Sequence, residues 1–405
     1  MQIEIIPSMA RGTVSAPPSK SMAHRRLICA GLCDGVSRIS GIAPSEDVLA
    51  TLDCLAAIGA EYKYENNTVE IRGVDPLQMQ IRSVLPCREC GSTLRFFIPV
   101  ALLSSEEVTL TGSERLLARP QVVYEDTCRK NGLYFHNDGE RITVRGTLKS
   151  GVYEVRGDVS SQFISGLLFV LPLLEGDSEI RITGKLESRP YIDLTLSALA
   201  DSGVEAMWGE NNTLLIRGGQ RYQPREAEVE GDYSNAAFFE ALNYVGGEVT
   251  VTGLREDSLQ GDRVYTDYFK ALAKGMPTLS IGACPDLGPI LFAVAATQNG
   301  GIFTETARLR IKESDRGAAM AEELAKLGAR VTVVEDRITV SPANLHPPAE
   351  PLCGHNDHRI VMSLAVLLAR LGGVIDGAEA VKKSMPDFFD RLRELGVKTK
   401  QHDIG

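Results

Sequence analysis

Pro17-Pro18-Ser19-Lys20-Ser21-Met22-Ala23-His24-Arg25-Arg26 opens a helix that turns apolar at once, at Leu27, Ile28 and Ala30. The two prolines fix an extended approach, and a serine beside a good helix former stands where an N-cap belongs. A helix start so placed presents unpaired backbone N–H groups and the positive end of its dipole. Lys20 and Arg25 lie within about a turn and a half of that start, so the stretch reads as a seat for an anion. An ordinary capped helix with a solvated basic face has the same local sequence. Recurrence separates the two readings.

Comparable starts return at Gly91-Ser92-Thr93, Ser160-Ser161-Gln162, Asp232-Tyr233-Ser234-Asn235, Pro285-Asp286 and Asn356-Asp357-His358-Arg359. Apolar bodies follow, such as Leu167-Leu168-Phe169-Val170 and Ile290-Leu291-Phe292-Ala293-Val294. Helices apolar all round belong inside a domain, behind a layer of sheet. Two further signals share their period of roughly 70 residues. One is a short strand ending in glycine, at Gly41, Gly112, Gly184, Gly253 and Gly377; the fifth copy, Gly301-Ile302-Phe303-Thr304-Glu305, lacks that glycine. The other is an amphipathic helix running into Gly59, Gly132, Gly203, Gly275, Gly328 or Gly396, where a left-handed C-cap is expected. A β-hairpin usually follows, and Arg141-Ile142-Thr143-Val144 and Arg337-Ile338-Thr339-Val340 close two of them with the same residues. The fourth copy is shortened after Gly275, and the sixth runs out at the C-terminus.

Six copies divide into two domains of three, with a boundary near the polar stretch 220–226. The 405 residues suit two domains of roughly 200. Packed side by side, three buried helices would bring their N-termini together at one end of each domain. Two such ends facing each other would form a cleft suited to a ligand with several negative charges.

Composition narrows the function. Hydrophobic content of 43% and charged content of 24% are those of a soluble globular protein, with no apolar run near 18 residues. The N-terminus lacks the pattern of a signal peptide. A net charge of −10 argues against a general binder of nucleic acid or acidic membrane. The eight cysteines are scattered, and the pair Cys87 and Cys90 has no second pair to complete a zinc site. Reduced thiols in the cytoplasm are expected.

Several motifs in order carry a resemblance along nearly the whole chain. They are Pro18-Ser19-Lys20-Ser21 with Arg25, Gly91-Ser92 with Arg95, Leu110-Thr111-Gly112 leading to Arg119-Pro120, and Ser160-Ser161-Gln162-Phe163. Further on come Pro190-Tyr191-Ile192-Asp193, Pro285-Asp286, Lys312-Glu313-Ser314-Asp315-Arg316, Asn356-Asp357-His358-Arg359 and Lys383-Ser384-Met385-Pro386-Asp387. With these the chain resembles the enolpyruvyl transferases, in the branch whose acceptor is shikimate 3-phosphate.

The resemblance implies an α/β (α+β) fold of two domains, an inverse α/β barrel in which each domain holds three βαβαββ repeats around buried parallel helices. Residues 14–226 would form one domain; residues 1–13 and 227–405 would form the other. It implies transfer of the enolpyruvyl group of phosphoenolpyruvate to the 5-hydroxyl of shikimate 3-phosphate, by addition and elimination, with release of phosphate. Lys20, Ser21, Arg25, Ser160, Ser161, Gln162, Ser188, Asp286 and Lys312 would hold shikimate 3-phosphate. Lys20, Gly91, Arg119, Gln162, Arg316, Arg359 and Lys383 would hold phosphoenolpyruvate. Asp286, Glu313 and Lys20 would move the protons, Asp286 as the base on the hydroxyl. No metal or organic cofactor, no nucleic acid and no membrane are expected, and a monomer in the cytoplasm is.

The residue types suit that chemistry. Both substrates carry a phosphate and a carboxylate, and the arginine fork matches such oxygens at about 1.5–3 kcal/mol for each charged hydrogen bond. Four positions depart from the common family pattern: Glu89 and His24 where asparagine is common, Phe96 where proline is, and Arg308 where another asparagine often contacts substrate. They bear on phosphoenolpyruvate affinity and on sensitivity to glyphosate, which competes for that site in this family. The sister enzyme that uses UDP-N-acetylglucosamine begins with a Lys-Asn pair and carries a reactive cysteine five residues before its Arg-Pro. Here Ser21 follows Lys20, and Glu114 holds the cysteine's place. A P-loop lacks its glycine before Lys20. A non-catalytic repeat scaffold has no use for Asp286, Glu313, Arg316 and Arg359 together.

Overall fold

A computed structural model describes residues 1–79, 81 and 84–402. The chain forms two compact units, Lys20–Glu230 and Met1–Ser19 with Gly231–Gly405.

The unit Lys20–Glu230 carries three four-stranded sheets of one design. In one, Val84–Pro86 runs parallel to Val108–Thr111, which pairs antiparallel with Arg141–Arg145, itself in a hairpin with Tyr134–Asn137. Val152–Arg156, Ser178–Thr183, Thr213–Ile216 and Ala206–Trp208 repeat that order. In the remaining sheet the outer strand is Glu226–Glu228, which lies parallel to Val36–Ser40. The last strand of the unit thus closes onto its first sheet, which carries the division from the expected 226/227 to Glu230/Gly231. The hairpin of that sheet turns through Asn66 and Asn67, at φ 49° and 56°. Asparagine tolerates that backbone better than most residues, and such a turn matches strand twist.

Three central helices, Lys20–Gly31, Gly91–Ala101 and Ser161–Val170, lie under these sheets. Leu27, Ile28, Phe97, Ile98, Leu168 and Phe169 have no exposed surface. The amphipathic helices Glu46–Ala57, Val122–Lys130 and Arg189–Asp201 keep a polar face outward. One central helix contains Pro99, which cannot donate to the carbonyl of Arg95 four residues earlier. The hydroxyl of Tyr124, itself buried, donates to that carbonyl at 2.6 Å. A Cβ on Gly166 would stand 2.2 Å from the same hydroxyl, so this position must be glycine.

The other unit repeats the four-stranded order once in full, with Thr278–Ser280, Gly301–Thr304, Arg337–Val340 and Val331–Val334. Its shortened copy keeps two strands, Arg11–Ser15 parallel to Glu248–Thr252. That pairing holds residues 11–15 in this unit and sets the second division at Ser19/Lys20. The helix Tyr265–Lys274 of this copy ends differently from the expectation: Gly275 sits at φ 174°, extended. With no hairpin to enter, the chain runs straight through Met276-Pro277 into the next strand. Gly59, Gly132, Gly203, Gly328 and Gly396 do adopt positive φ. The copy that lacks its strand-ending glycine places Glu305 at φ 60°.

The sixth copy is completed from the other end of the chain. Gln2–Ile6 inserts between Gly373–Asp376 and Lys398–His402, antiparallel to both, and Leu352–Cys353 forms the outer strand. Ile3 and Ile5 are each 1% exposed. The central helices here are Tyr233–Ala241, Gly288–Thr297 and His358–Leu371. Gly288 to Ala296 are buried without a break.

Tyr124→Phe should destabilise the protein by about 1–3 kcal/mol, the cost of leaving a buried carbonyl unpaired. In a Pro99→Ala background, which restores a backbone donor, the same change should cost less than half as much. Denaturant unfolding of the four proteins measures the coupling; equal costs in both backgrounds would refute the pairing.

Candidate functional site

In Lys20–Glu230 the polar starts of the three central helices meet. Arg25, 2% exposed, donates through Nε to Thr195 Oγ1 at 2.8 Å and through its terminal nitrogens to the carbonyls of Ser21 (2.7 Å) and Tyr191 (2.8 Å). Its guanidinium lies 5.5 Å from the ring centre of Phe96, and burial lowers its pKa to about 10. Phe96, one of the departures from the family pattern, is wholly buried edge-on to Phe169. Lys20 Nζ lies 2.5 Å from Asp47 Oδ2. Arg95 donates to Gln162 Oε1 at 2.8 Å and to the carbonyl of Pro120 at 3.2 Å, and Gln162 Nε2 donates to Ser92 Oγ at 2.9 Å. Starts of two helices are thereby tied together.

Ser160 caps the helix Ser161–Val170 by accepting from the Gln162 N–H at 3.3 Å. Ser161 is buried beside it. Ser188, also buried, stands at φ 55° directly before the helix that carries Tyr191 and Thr195. A non-glycine residue held there stores local strain, a frequent mark of ligand-binding positions. Arg119, 7% exposed, packs against Gly91 so closely that a Cβ on Gly91 would stand 2.5 Å from its terminal nitrogen.

Cys90 caps the helix Gly91–Ala101, its sulfur accepting from the Thr93 N–H at 3.4 Å. His24 is buried against it. Burial first, then Lys20 and Arg25, hold His24 well below the usual histidine pKa; burial and then Asp47 push the Cys90 thiol up to about 12.

In the other unit the corresponding cluster is richer in carboxylates. Arg316, 1% exposed, donates to Asp357 (2.8 and 3.3 Å), to Asp286 (2.8 Å) and to Glu313 (2.9 Å). Burial opposes its charge, but Asp357, Glu313 and Asp286 outweigh it and hold the pKa well above the ordinary value. Lys312 Nζ donates to Asp286 at 3.2 Å, and Arg359 approaches the other Asp286 oxygen at 3.6 Å. Three cations thus face one carboxylate. Burial lowers the Lys312 pKa to about 8, against the pull of Asp286. Arg359 also donates to Asn235 at 3.2 Å, and Lys383 donates to the carbonyl of Asn356 at 2.6 Å. Arg308, 8% exposed, lies in the short helix Ala307–Ile311 just before this cluster.

Each expected residue therefore falls in one of two clusters, and within each unit the clusters gather helix starts. The sequence reading gave no role to Asp357, Asp47, Asn235 or Thr195. Asp357, with no exposed surface, caps the helix His358–Leu371 and holds Arg316 and Ser314. Its signal was an acidic residue at a helix start flanked by the singled-out Asn356 and Arg359. Asp47 and Thr195 sit inside amphipathic helices and gave none.

Residues 6–392 match the family described as EPSP synthase (3-phosphoshikimate 1-carboxyvinyltransferase). The chain is 40% identical to the 3-phosphoshikimate 1-carboxyvinyltransferase of Clostridium kluyveri, over 100% of this chain and 99% of the relative. It is 36% identical to that of Clostridioides difficile, with the same coverage. Among solved structures, EPSP synthase from Acinetobacter baumannii superposes with a TM-score of 0.80 at 22% identity, each chain covered over 100%. The enolpyruvyl transferase NikO from Streptomyces tendae does so at 0.78 and 15% identity, with 98% of each covered; at such identities the likeness speaks for the mixed α/β fold. The helix-start clusters and the match from end to end lead to one conclusion: the chain belongs to the EPSP synthase family.

Proposed function

We infer that the protein is a 3-phosphoshikimate 1-carboxyvinyltransferase of the shikimate pathway, serving aromatic amino acid biosynthesis. It transfers the enolpyruvyl group of phosphoenolpyruvate to the 5-hydroxyl of shikimate 3-phosphate and releases phosphate. The observation that carries the reading is the family match across residues 6–392, joined to a carboxylate, Asp286, faced by Lys312, Arg316 and Arg359.

Ser21, Arg25, Ser160, Ser161, Ser188 and Lys312 bind shikimate 3-phosphate, and Gly91, Arg119, Arg316, Arg359 and Lys383 bind phosphoenolpyruvate. Lys20 and Gln162 serve both. Asp286 takes the proton of the 5-hydroxyl as its oxygen attacks C2, while C3 gains a proton. Phosphate then leaves as C3 gives a proton back, restoring the double bond. Glu313 and Lys20 serve C3 and the departing phosphate. Arg316 spends its donors on carboxylates, so it reaches an anionic substrate by exchanging Glu313. That exchange frees Glu313 for proton transfer at the moment substrate arrives. We read the enzyme as a cytoplasmic monomer with no nucleic-acid or membrane partner; no helix among the described residues is long and apolar enough to cross a membrane.

Phosphate release from phosphoenolpyruvate, with shikimate 3-phosphate in one tube and UDP-N-acetylglucosamine in a second, tests the function. Release with the first acceptor alone is expected; release with the second alone would transfer the chain to the sister activity. Gly91→Ala should raise the KM for phosphoenolpyruvate by about 10–100-fold, the loss of one charged hydrogen bond as Arg119 is pushed aside. The KM for shikimate 3-phosphate should barely move. Asp286→Asn should lower kcat by about 10²–10⁴, the usual worth of a positioned base, with the fold intact by circular dichroism. Near-normal turnover would remove Asp286 from the chemistry.

The pH profile follows from Lys312. With a pKa of about 8, it is charged below that pH and neutral above it. The kcat/KM for shikimate 3-phosphate should therefore fall as pH rises through 8. Lys312→Arg, which stays charged, should lose that limb. A limb unchanged in the variant would assign it to another group.

A further inference from the structure

His24, Asp47 and Cys90, all buried, bring an imidazole nitrogen, a carboxylate oxygen and a sulfur within 4.8 Å of one another. His24 Nε2 lies 3.8 Å from Cys90 Sγ. Two ligands of a tetrahedral zinc ion, with bonds of about 2.3 Å to sulfur and about 2.0 Å to nitrogen, stand about 3.5 Å apart. The remote ring nitrogen, Nδ1, is 2.7 Å from Thr51 Oγ1, which is 2.8 Å from Thr93 Oγ1. A hydrogen bond on that nitrogen is how ligating histidines are generally oriented. Cys87, the apparent partner of Cys90 in sequence, faces Cys54 at 3.9 Å between sulfurs. The ligands therefore come from three helices or their caps, and no spacing in the sequence announces them.

We propose that His24, Asp47 and Cys90 form a zinc site whose occupation inhibits the enzyme by taking Asp47 from Lys20. As zinc binds, the Cys90 thiol gives its proton to solvent, and thiolate and carboxylate together neutralise the dication. The imidazole supplies the third bond and water the fourth. Lys20 Nζ, now 2.5 Å from Asp47, loses the carboxylate that aims it. The inhibitory half of the proposal rests on the role given to Lys20 above; the metal site does not.

A second group, Glu322, Glu323 and His355, lies in the other unit, where the exposed Cys353 accepts from the His355 N–H. It supplies the control. The full-length protein is titrated with Co²⁺, whose charge-transfer absorption reports a bound thiolate, alongside Cys90→Ser, His24→Asn and Cys353→Ser. Serine keeps the helix cap, so Cys90→Ser should fold and turn over normally. One equivalent of Co²⁺ with the thiolate band is expected in the wild type and Cys353→Ser, and no band in Cys90→Ser. His24→Asn should weaken binding at least about a hundredfold, beyond the usual cost of losing an outer-shell partner. Zn²⁺ should displace the Co²⁺ and inhibit phosphate release reversibly, leaving Cys90→Ser uninhibited. A band absent from the wild type, or present in Cys90→Ser and lost in Cys353→Ser, would overturn the site. Stoichiometric Zn²⁺ without inhibition would keep the site and overturn its inhibitory effect.

Discussion

Burying a helix on every side leaves its ends as the only places where polar groups can gather without breaking the core. Each unit applies that constraint three times, and the site chemistry follows from it. Apolar bodies such as Gly288 to Ala296 tolerate no charge. At the starts, unpaired N–H groups favour oxygens, and capping residues such as Ser160, Asp232 and Asp357 are drawn there. The cations that share these ends are then partly desolvated, at a cost of several kcal/mol per ion unless each finds a partner.

The two units meet that cost differently. In Lys20–Glu230, Arg25 and Arg95 donate to neutral acceptors: Thr195, Gln162 and the carbonyls of Ser21, Tyr191 and Pro120. Burial among such acceptors lowers the Arg25 pKa to about 10. In the other unit the charges are largely matched, with Arg316 tied to three carboxylates. A matched cluster attracts anions less but holds its carboxylates in fixed positions. Neutral acceptors around Arg25 and carboxylates around Arg316 are thus two answers to one desolvation cost.

The sixfold repeat was legible because it rests on local signals: apolar runs, glycine punctuation and repeated hairpin residues such as Arg141 to Val144 and Arg337 to Val340. Even the absent glycine at Glu305 marked a real turn, since glutamate there adopts the backbone that glycine would. Two things escaped. The resemblance placed residues 1–13 with 227–405, but the pairing of the strand Gln2–Ile6 with residues nearly 400 positions away has no local pattern to encode it. Among the candidate residues, the cations stood out through their motifs, whereas Asp47, Asn235 and Thr195 enter through their contacts with those cations. Such roles depend on which helices meet, and that is settled by packing.

The insertion of Gln2–Ile6 between Gly373–Asp376 and Lys398–His402 has a consequence for biosynthesis. Lys20–Glu230 is one uninterrupted segment whose strands all pair within it, so it can fold while the ribosome is still making the rest. The strand Gln2–Ile6 must wait, its buried isoleucines unsheltered, until the strands Gly373–Asp376 and Lys398–His402 have emerged. Translation therefore delivers a finished first unit with an unpaired sheet edge trailing from its N-terminus, the kind of edge that recruits foreign strands. Slow elongation between Gly231 and Gly373 lengthens that exposure.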